Sequence, residues 1–151
     1  MNTFVRPASA SDLADLVECE SQYRMAVGAV ERGGAELLAE SPVAGPSGWG
    51  VRLENPEWEV VVGGIDGVVL GLCAGQLNPA THAARIALLW VHPGAREVGL
   101  GEDLLTSFSE AVRASGATRI EAVALPGDRD TKNLFERAGL VARLIVVSSR
   151  L

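Results

Sequence analysis

The spacing of apolar positions changes several times along the chain, and each change marks an element. Thr3 to Arg6 has the character of a short strand closed by Pro7, and Ser9-Ala10-Ser11-Asp12 then offers an S-x-x-D capping box. Leu13, Leu16 and Val17 recur at three- and four-residue steps, and the pattern runs on through Tyr23, Val27 and Val30 until Gly33-Gly34, so a helix starts near Ala10. A short second helix covers Ala35 to Glu40. Between Ser41 and Pro56 stand Pro42, Gly45, Pro46, Gly48, Gly50 and Pro56, which predicts a surface loop. Trp49 and Trp58 bracket the second half of that loop, where they either anchor it on the core or line a pocket.

From Trp58 the period shifts to that of strands. Trp58 to Ile65 and Val68 to Leu77 are β-rich and joined by Asp66-Gly67, a type I′ hairpin signal. Asn78-Pro79 turns the chain again, and Ala84 to His92 is a third strand whose unbroken apolar run, Ile86 to Val91, has the composition of a buried one. Pro93-Gly94 ends it. Leu100, Leu104, Leu105, Phe108, Ala111 and Val112 then recur at helical spacing from about Gly99 to Ser115-Gly116. Thr118 to Leu125 alternates as a strand, Thr131 to Ala138 is a short helix stopped by Gly139, and Val141 to Ser148 closes the chain as a last strand. A run of antiparallel strands followed by a strand, helix, strand unit predicts a mixed α/β sheet. At 151 residues it forms one domain, residues 1–151.

The candidate chemistry lies between the third strand and the long helix, in Arg96-Glu97-Val98-Gly99-Leu100-Gly101. Two glycines around one residue at a helix start let a ligand approach the main chain without meeting a Cβ. The first helical N–H groups have no partner inside the helix, and the peptide dipoles add partial positive charge there, so the turn suits phosphate. Arg96 adds a full charge. An isolated G-x-G is equally a plain strand-to-helix connection, but R-x-x-G-x-G after an apolar strand ending in V-H-P resembles the acetyl-CoA loop of the GNAT superfamily of N-acetyltransferases. The opening V-R-P-A-x-x-x-D-L resembles that family's first strand and helix as well.

The resemblance implies the GNAT fold, in which the fourth and fifth strands, here Ile86 to Val91 and Thr118 to Leu125, splay apart to admit the pantetheine arm of CoA. Main-chain groups of Leu89, Trp90 and Val91 would then bond its amides as another strand would, and Arg96, Glu97, Val98, Gly99, Leu100 and Gly101 would hold its pyrophosphate. A side chain at Gly99 or Gly101 would take the phosphate's place. It also implies acetyl-CoA as co-substrate, a primary amine of a small molecule or peptide as acceptor, and a homodimer through the last strands.

A second family signature, N-x-x-A-x-x-x-Y-x-x-x-G-F, falls on Asp128, Thr131, Phe135, Gly139 and Leu140, with only Gly139 matching by identity. In the family its Asn and Ala face the cofactor and its Tyr donates a proton to the leaving thiolate. Here Phe135 has no hydroxyl. No Asp or Glu lies between Gln76 and Arg96, which leaves His82, Glu121, Glu18, Glu20 and Tyr23 as unranked titratable groups and the catalytic residues unassigned. Two functions therefore stand side by side, an acetyl-CoA-dependent N-acetyltransferase and a non-catalytic acyl-CoA-binding module that senses or docks. A dinucleotide site is disfavoured, because its fingerprint needs a third glycine or alanine where Leu104 stands and an acid where Ala124-Leu125 ends the next strand.

Composition narrows the partners. A net charge of −6 with no run of basic residues opposes a nucleic-acid groove, and globally it favours cationic amines. Cys19 and Cys73 lack metal-ligand spacing and read as two reduced thiols in a cytoplasmic protein, with no metal site. No apolar stretch approaches the ~20 residues that span a bilayer, so no membrane partner is predicted.

Overall fold

A computed structural model describes residues 1–151, and in it the strands form one five-stranded sheet in chain order. β1 (Thr3–Pro7), β2 (Trp58–Ile65), β3 (Val68–Asn78) and β4 (Ala83–Val91) pair antiparallel in succession, while β5 (Arg119–Glu121) lies parallel to β4. The β2–β3 turn has Asp66 at φ 50° and Gly67 at φ 81°, the two left-handed residues that a type I′ hairpin demands.

Helices cover both faces. On one lies α4 (Leu100–Ala114), whose Leu100, Leu104, Leu105, Phe108 and Val112 form the buried stripe read from the sequence, with α5 (Arg129–Arg137) beside it. These pack on Val61, Cys73, Ala84 and Ile86. On the other lie α1 (Leu13–Gly28) and α3 (Gly45–Glu54), bringing Leu16, Cys19 and Trp49 against Val60, Val62, Leu72, Ala74, Leu88 and Trp90. α2 (Gly34–Glu40) packs on α1. Each large side chain buried in these two layers contributes about 1.5–3 kcal/mol.

One residue explains how β4 serves both layers. Ile86 pairs with Gly75 and Leu88 with Ala74, so Ala87 is a bulge with no partner of its own. Before it Ala84 and Ile86 point to the α4 side; after it Leu88 and Trp90 point to the α1 side. An unbroken apolar run from Ile86 to Val91 is the sequence of a strand buried on both faces.

Three expectations are corrected. The segment from Ser41 to Pro56 is not a loop throughout: Gly45–Glu54 is helical, with Pro46 in its first turn, where no N–H is needed. Its N-terminus is capped from a distance, by the Glu20 carboxylate of α1, which accepts from Ala44 N–H (3.0 Å), Gly45 N–H (3.2 Å) and Trp49 Nε1 (3.3 Å). The fifth strand is shorter than Thr118 to Leu125, because the chain leaves β4 after Glu121. Val141 to Ser148 pairs with nothing and forms no strand. Its Leu144, Ile145, Val146 and Val147 are each more than 80% exposed, the β-strand composition finding no neighbouring edge within this chain.

Candidate functional site

β5 touches β4 only through Ala83↔Arg119, Ala84↔Ile120 and Arg85↔Glu121. Beyond that point the edge of β4 from Ile86 to Val91 has no strand beside it, and an open cleft of about 960 Å³ runs along it, with Ala122, Val123 and Leu125 on the far wall. The two strands part where the bulge sits.

The alternation of an antiparallel ladder decides which main-chain groups face this gap. His92 N–H donates to Leu70 O (2.7 Å), so the pair two steps back, Leu72 with Trp90, is also a bonded pair, and Trp90 spends its main-chain groups on β3. Leu89 and Val91, in the pairs between, turn theirs toward the cleft. Val91 O is taken by Arg96 Nε (2.9 Å), which leaves Val91 N–H and both main-chain groups of Leu89 on the open edge. Trp90 acts through its ring instead: the Arg96 guanidinium carbon lies 4.7 Å from the indole centroid, and Trp90 Nε1 donates to Gln22 Oε1 on α1 (3.0 Å).

From Pro93 to Val98 the chain winds as 3₁₀ turns, with His92 Nδ1 accepting from Gly94 N–H (3.1 Å). Gly99 has φ 79°, a left-handed conformation that turns the chain into α4. The first intrahelical bond there is Asp103 N–H to Gly99 O (3.1 Å), so the N–H groups of Leu100, Gly101 and Glu102 lie free of the ladder. Side chains in the loop divide. Glu97 lines the cleft, whereas Val98 packs on the core and Leu100 is fully buried. The glycines divide too. A Cβ on Gly99 would meet nothing within 4 Å, but one on Gly101 would lie 3.2 Å from Leu134 Cδ2, so Gly101 is bare to let α5 pack on α4.

On α5, Asp128 is the N-cap, accepting from Thr131 N–H (3.2 Å) and Thr131 Oγ1 (2.6 Å). The Thr131 hydroxyl proton is therefore committed. Phe135 is buried in the α4-side core and forms part of the cleft wall.

The remaining titratable candidates scatter. His82 is an exposed turn residue with φ 58° at the opposite end of β4. Glu121 pairs with Arg85 (3.8 Å) and Arg119 (3.5 Å) outside the cleft. Glu18 is exposed and accepts from Gln22 (3.1 Å), and Glu20 is the buried cap of α3. Tyr23 is the one that reaches the cleft, across from Asp128; burial holds its phenol above the ordinary value, opposed by the Arg24 charge. It is the only tyrosine in the chain. Cys19 and Cys73 are separate buried thiols, and burial raises Cys19 to about 11.

Arg52, Gln76, Arg85 and Glu40, which line the end of the cleft toward α2 and α3, were not singled out by the sequence. Arg52 stands in the segment read as loop, and no motif marks it. Of the two tryptophans there, Trp49 is fully buried and Trp58 lines the cleft.

Residues 32–140 match the model of the acetyltransferase (GNAT) family, and the chain belongs to that family. None of the curated proteins matches its sequence. Among solved structures it is similar to AAC(6')-Iy in complex with a bisubstrate analogue, CoA-S-monomethyl-acetylneamine, with 14% identity, full coverage of both chains and a TM-score of 0.74. It is also similar to an aminoglycoside acetyltransferase from an uncultured soil metagenomic sample (17% identity, 100% and 99% coverage, TM-score 0.73). A third is the PaiA N-acetyltransferase from Thermoplasma acidophilum in complex with coenzyme A (14% identity, 92% and 89% coverage, TM-score 0.75). At these identities the likeness establishes the fold. No helix is long and apolar enough to cross a membrane.

Proposed function

We propose that the chain is an acetyl-CoA-dependent N-acetyltransferase that moves an acetyl group onto a primary amine of a small molecule or peptide by direct attack on the thioester. The observation that carries this reading is the open edge of β4, with Leu89 and Val91 main-chain groups facing a cleft that ends at the free N–H groups of α4. An amide-bearing arm fits the first and a pyrophosphate the second.

When bound, acetyl-CoA supplies an activated acyl carbon and a thiolate leaving group. Arg96 and the first turn of α4 would hold the phosphates, Val91 N–H and Leu89 C=O would bond the arm's amides, and Leu89 N–H, farther from α4 along the open edge, would face the acyl oxygen as negative charge develops there. A preorganised donor of that kind is worth about 3 kcal/mol. Tyr23, the one phenol lining the cleft, would be the proton donor in place of a hydroxyl on α5. No carboxylate lies on β4, so the amine's proton would leave through water toward the carboxylates elsewhere on the cleft wall, Glu40, Glu97, Glu102, Asp128 and Asp130.

Phe135 favours a second reading, a module that binds acyl-CoA without turnover: α5 offers the cleft no free hydroxyl, Thr131 being bonded to Asp128. Thiol release from acetyl-CoA across an amine panel, with acetylated products identified by mass spectrometry and acetyl-CoA affinity measured calorimetrically, separates the two. Binding with product supports the enzyme, binding without any product supports the module, and no binding overturns both.

A homodimer belongs to the same proposal. Residues 141–148 expose a β-forming apolar run, and β5 leaves one edge unpaired, so a second copy can pair with either. Two buried free thiols suit a reducing, cytoplasmic setting.

A further inference from the structure

The acceptor end of the cleft carries a cation with no protein partner. Arg52, in the last turn of α3, has its guanidinium carbon 4.8 Å from the ring centroid of Trp49 and 4.2 Å from that of Trp58. It makes no ion pair and donates no side-chain hydrogen bond, although it is half-buried and lines the cleft. Burial lowers its pKa, and the Glu20 charge opposes that shift without contact, because the Glu20 oxygens are occupied by the cap of α3 and the Trp49 indole. A guanidinium stacked on indoles keeps its planar edge of N–H donors available, and the two rings restrict its rotation.

The sheet beneath continues the pattern. Trp58, Gln76 and Arg85 are cross-strand neighbours in one row on the α1 and α3 side. Gln76 reaches Glu57 (3.4 Å), and the Arg85–Glu121 contact is exposed and long at 3.8 Å. Of the acidic side chains lining the cleft, Glu40 stands on α2, while Glu97, Glu102, Asp128 and Asp130 belong to the α4 and α5 ends. The row lies two residues, roughly 7 Å, along the strands from the level of Leu88, beside which Leu89 faces the gap. Trp58 itself is two strands, roughly 10 Å, across from β4, so a carboxylate held by Arg52 and an amine at Leu89 belong to one small molecule spanning this end of the cleft.

We infer that the acceptor is an amine carrying a carboxylate, of the amino-acid class, and that Arg52 binds that carboxylate through the edge of its guanidinium while the Trp49–Trp58 pair holds the guanidinium in place. One partnerless planar cation matches one planar monoanion, and guanidinium with carboxylate is the bidentate pair that shares this geometry. The same charge disfavours polycationic acceptors, in spite of the negative net charge of the chain. The inference rests on the acetyl-transfer reading of the cleft and names its acceptor.

The test uses the full chain and three proteins: wild type, R52Q, and R52K, which keeps the charge without the fork. Leucine, phenylalanine and lysine are each compared with their carboxamides and decarboxylated amines, with neamine as the polycation, and kcat/KM is read from CoA thiol release. In parallel, N-acetylated acids and amides are titrated calorimetrically into CoA-loaded protein, a readout that needs no turnover. At least one acid should be preferred over its amide by about tenfold or more, the preference should vanish in R52Q and shrink in R52K, and neamine should be a poor acceptor. Acetyl-CoA affinity should be unchanged in R52Q, which also reports that the variant is folded. Equal or better use of every amide in both assays, or a preference that persists in R52Q, overturns the inference. Failure of wild type to bind acetyl-CoA overturns the acetyl-transfer reading instead, and is scored by its own titration.

Discussion

The carboxylate of Glu20 on α1 accepts from the indole N–H of Trp49 on α3 at 3.3 Å, and both residues are buried. The same carboxylate holds the N–H groups of Ala44 and Gly45, so one side chain caps a helix that begins 25 positions later. Glu20→Ala leaves three buried or half-buried donors without a partner. It should lower unfolding stability by about 2–4 kcal/mol in a urea titration. Since Trp49 also seats Arg52, the variant should lose acceptor affinity more than acetyl-CoA affinity.

The two loop glycines should respond differently. Gly99→Ala meets no neighbour but must hold φ 79°, at a cost of about 1–2 kcal/mol, and it adds a methyl group to a residue that lines the cleft where the phosphates are proposed to bind. Acetyl-CoA affinity should fall at least tenfold, about 1.4 kcal/mol, by calorimetry. Gly101→Val instead presses on Leu134, and should cost about 1–3 kcal/mol of stability through overpacking between α4 and α5.

Tyr23→Phe should lower kcat about 10²-fold with little change in acetyl-CoA affinity, because only the phenolic proton is removed. Phe135→Tyr should not compensate, as that ring is packed in the core. Burial raises the Tyr23 pKa, so the neutral phenol is favoured in the fold; its contribution to stability is present below the unfolded value near pH 10 and lost as pH rises above it. Absorbance titration of this single tyrosine reads the shift directly.

Arg6 Nη1 and Nη2 donate to Asp12 at 2.7 and 2.9 Å, and Ser9 N–H donates to the same carboxylate at 2.8 Å. The Arg6 hydrogen bonds hold the Asp12 carboxyl below its ordinary range against the effect of burial. A depressed carboxyl stabilises the fold above its unfolded pKa, near 4, and the contribution is lost as pH falls through the lower folded value. Asp12→Asn should cost about 1–2 kcal/mol at pH 7 and flatten the stability profile below pH 4, measured by urea midpoints across pH.

Ile145→Asp with Val147→Asp should leave acetyl-CoA affinity intact while shifting the sedimentation coefficient to that of a monomer, since these exposed residues touch no part of their own chain's core. A dimer that persists in the double variant would exclude this segment from the interface.

The sequence made legible what depends on neighbours a few positions away. The stripe of α4, the Asp66-Gly67 hairpin and the Gly99 turn all follow from local period and backbone freedom. The helix α3 did not, because Gly45, Pro46, Gly48 and Gly50 are loop residues by propensity and the cap that offsets them sits on α1. The splay of β4 from β5 was legible through family resemblance, but its starting point depends on the Ala87 bulge, which has no residue signature. Arg52 was invisible for a related reason: its significance comes from having two indoles against it and no carboxylate bonded to it, a property of the packed site.

Ala87 also divides the work of a single strand. Being one residue out of step, it makes β4 two half-strands of opposite phase, so that Arg85 and the row around it can be exchanged without rotating Leu89 or Val91 away from the gap. Acceptor choice and cofactor grip are thereby separately adjustable, and variants that retune the first should be accessible without repair of the second.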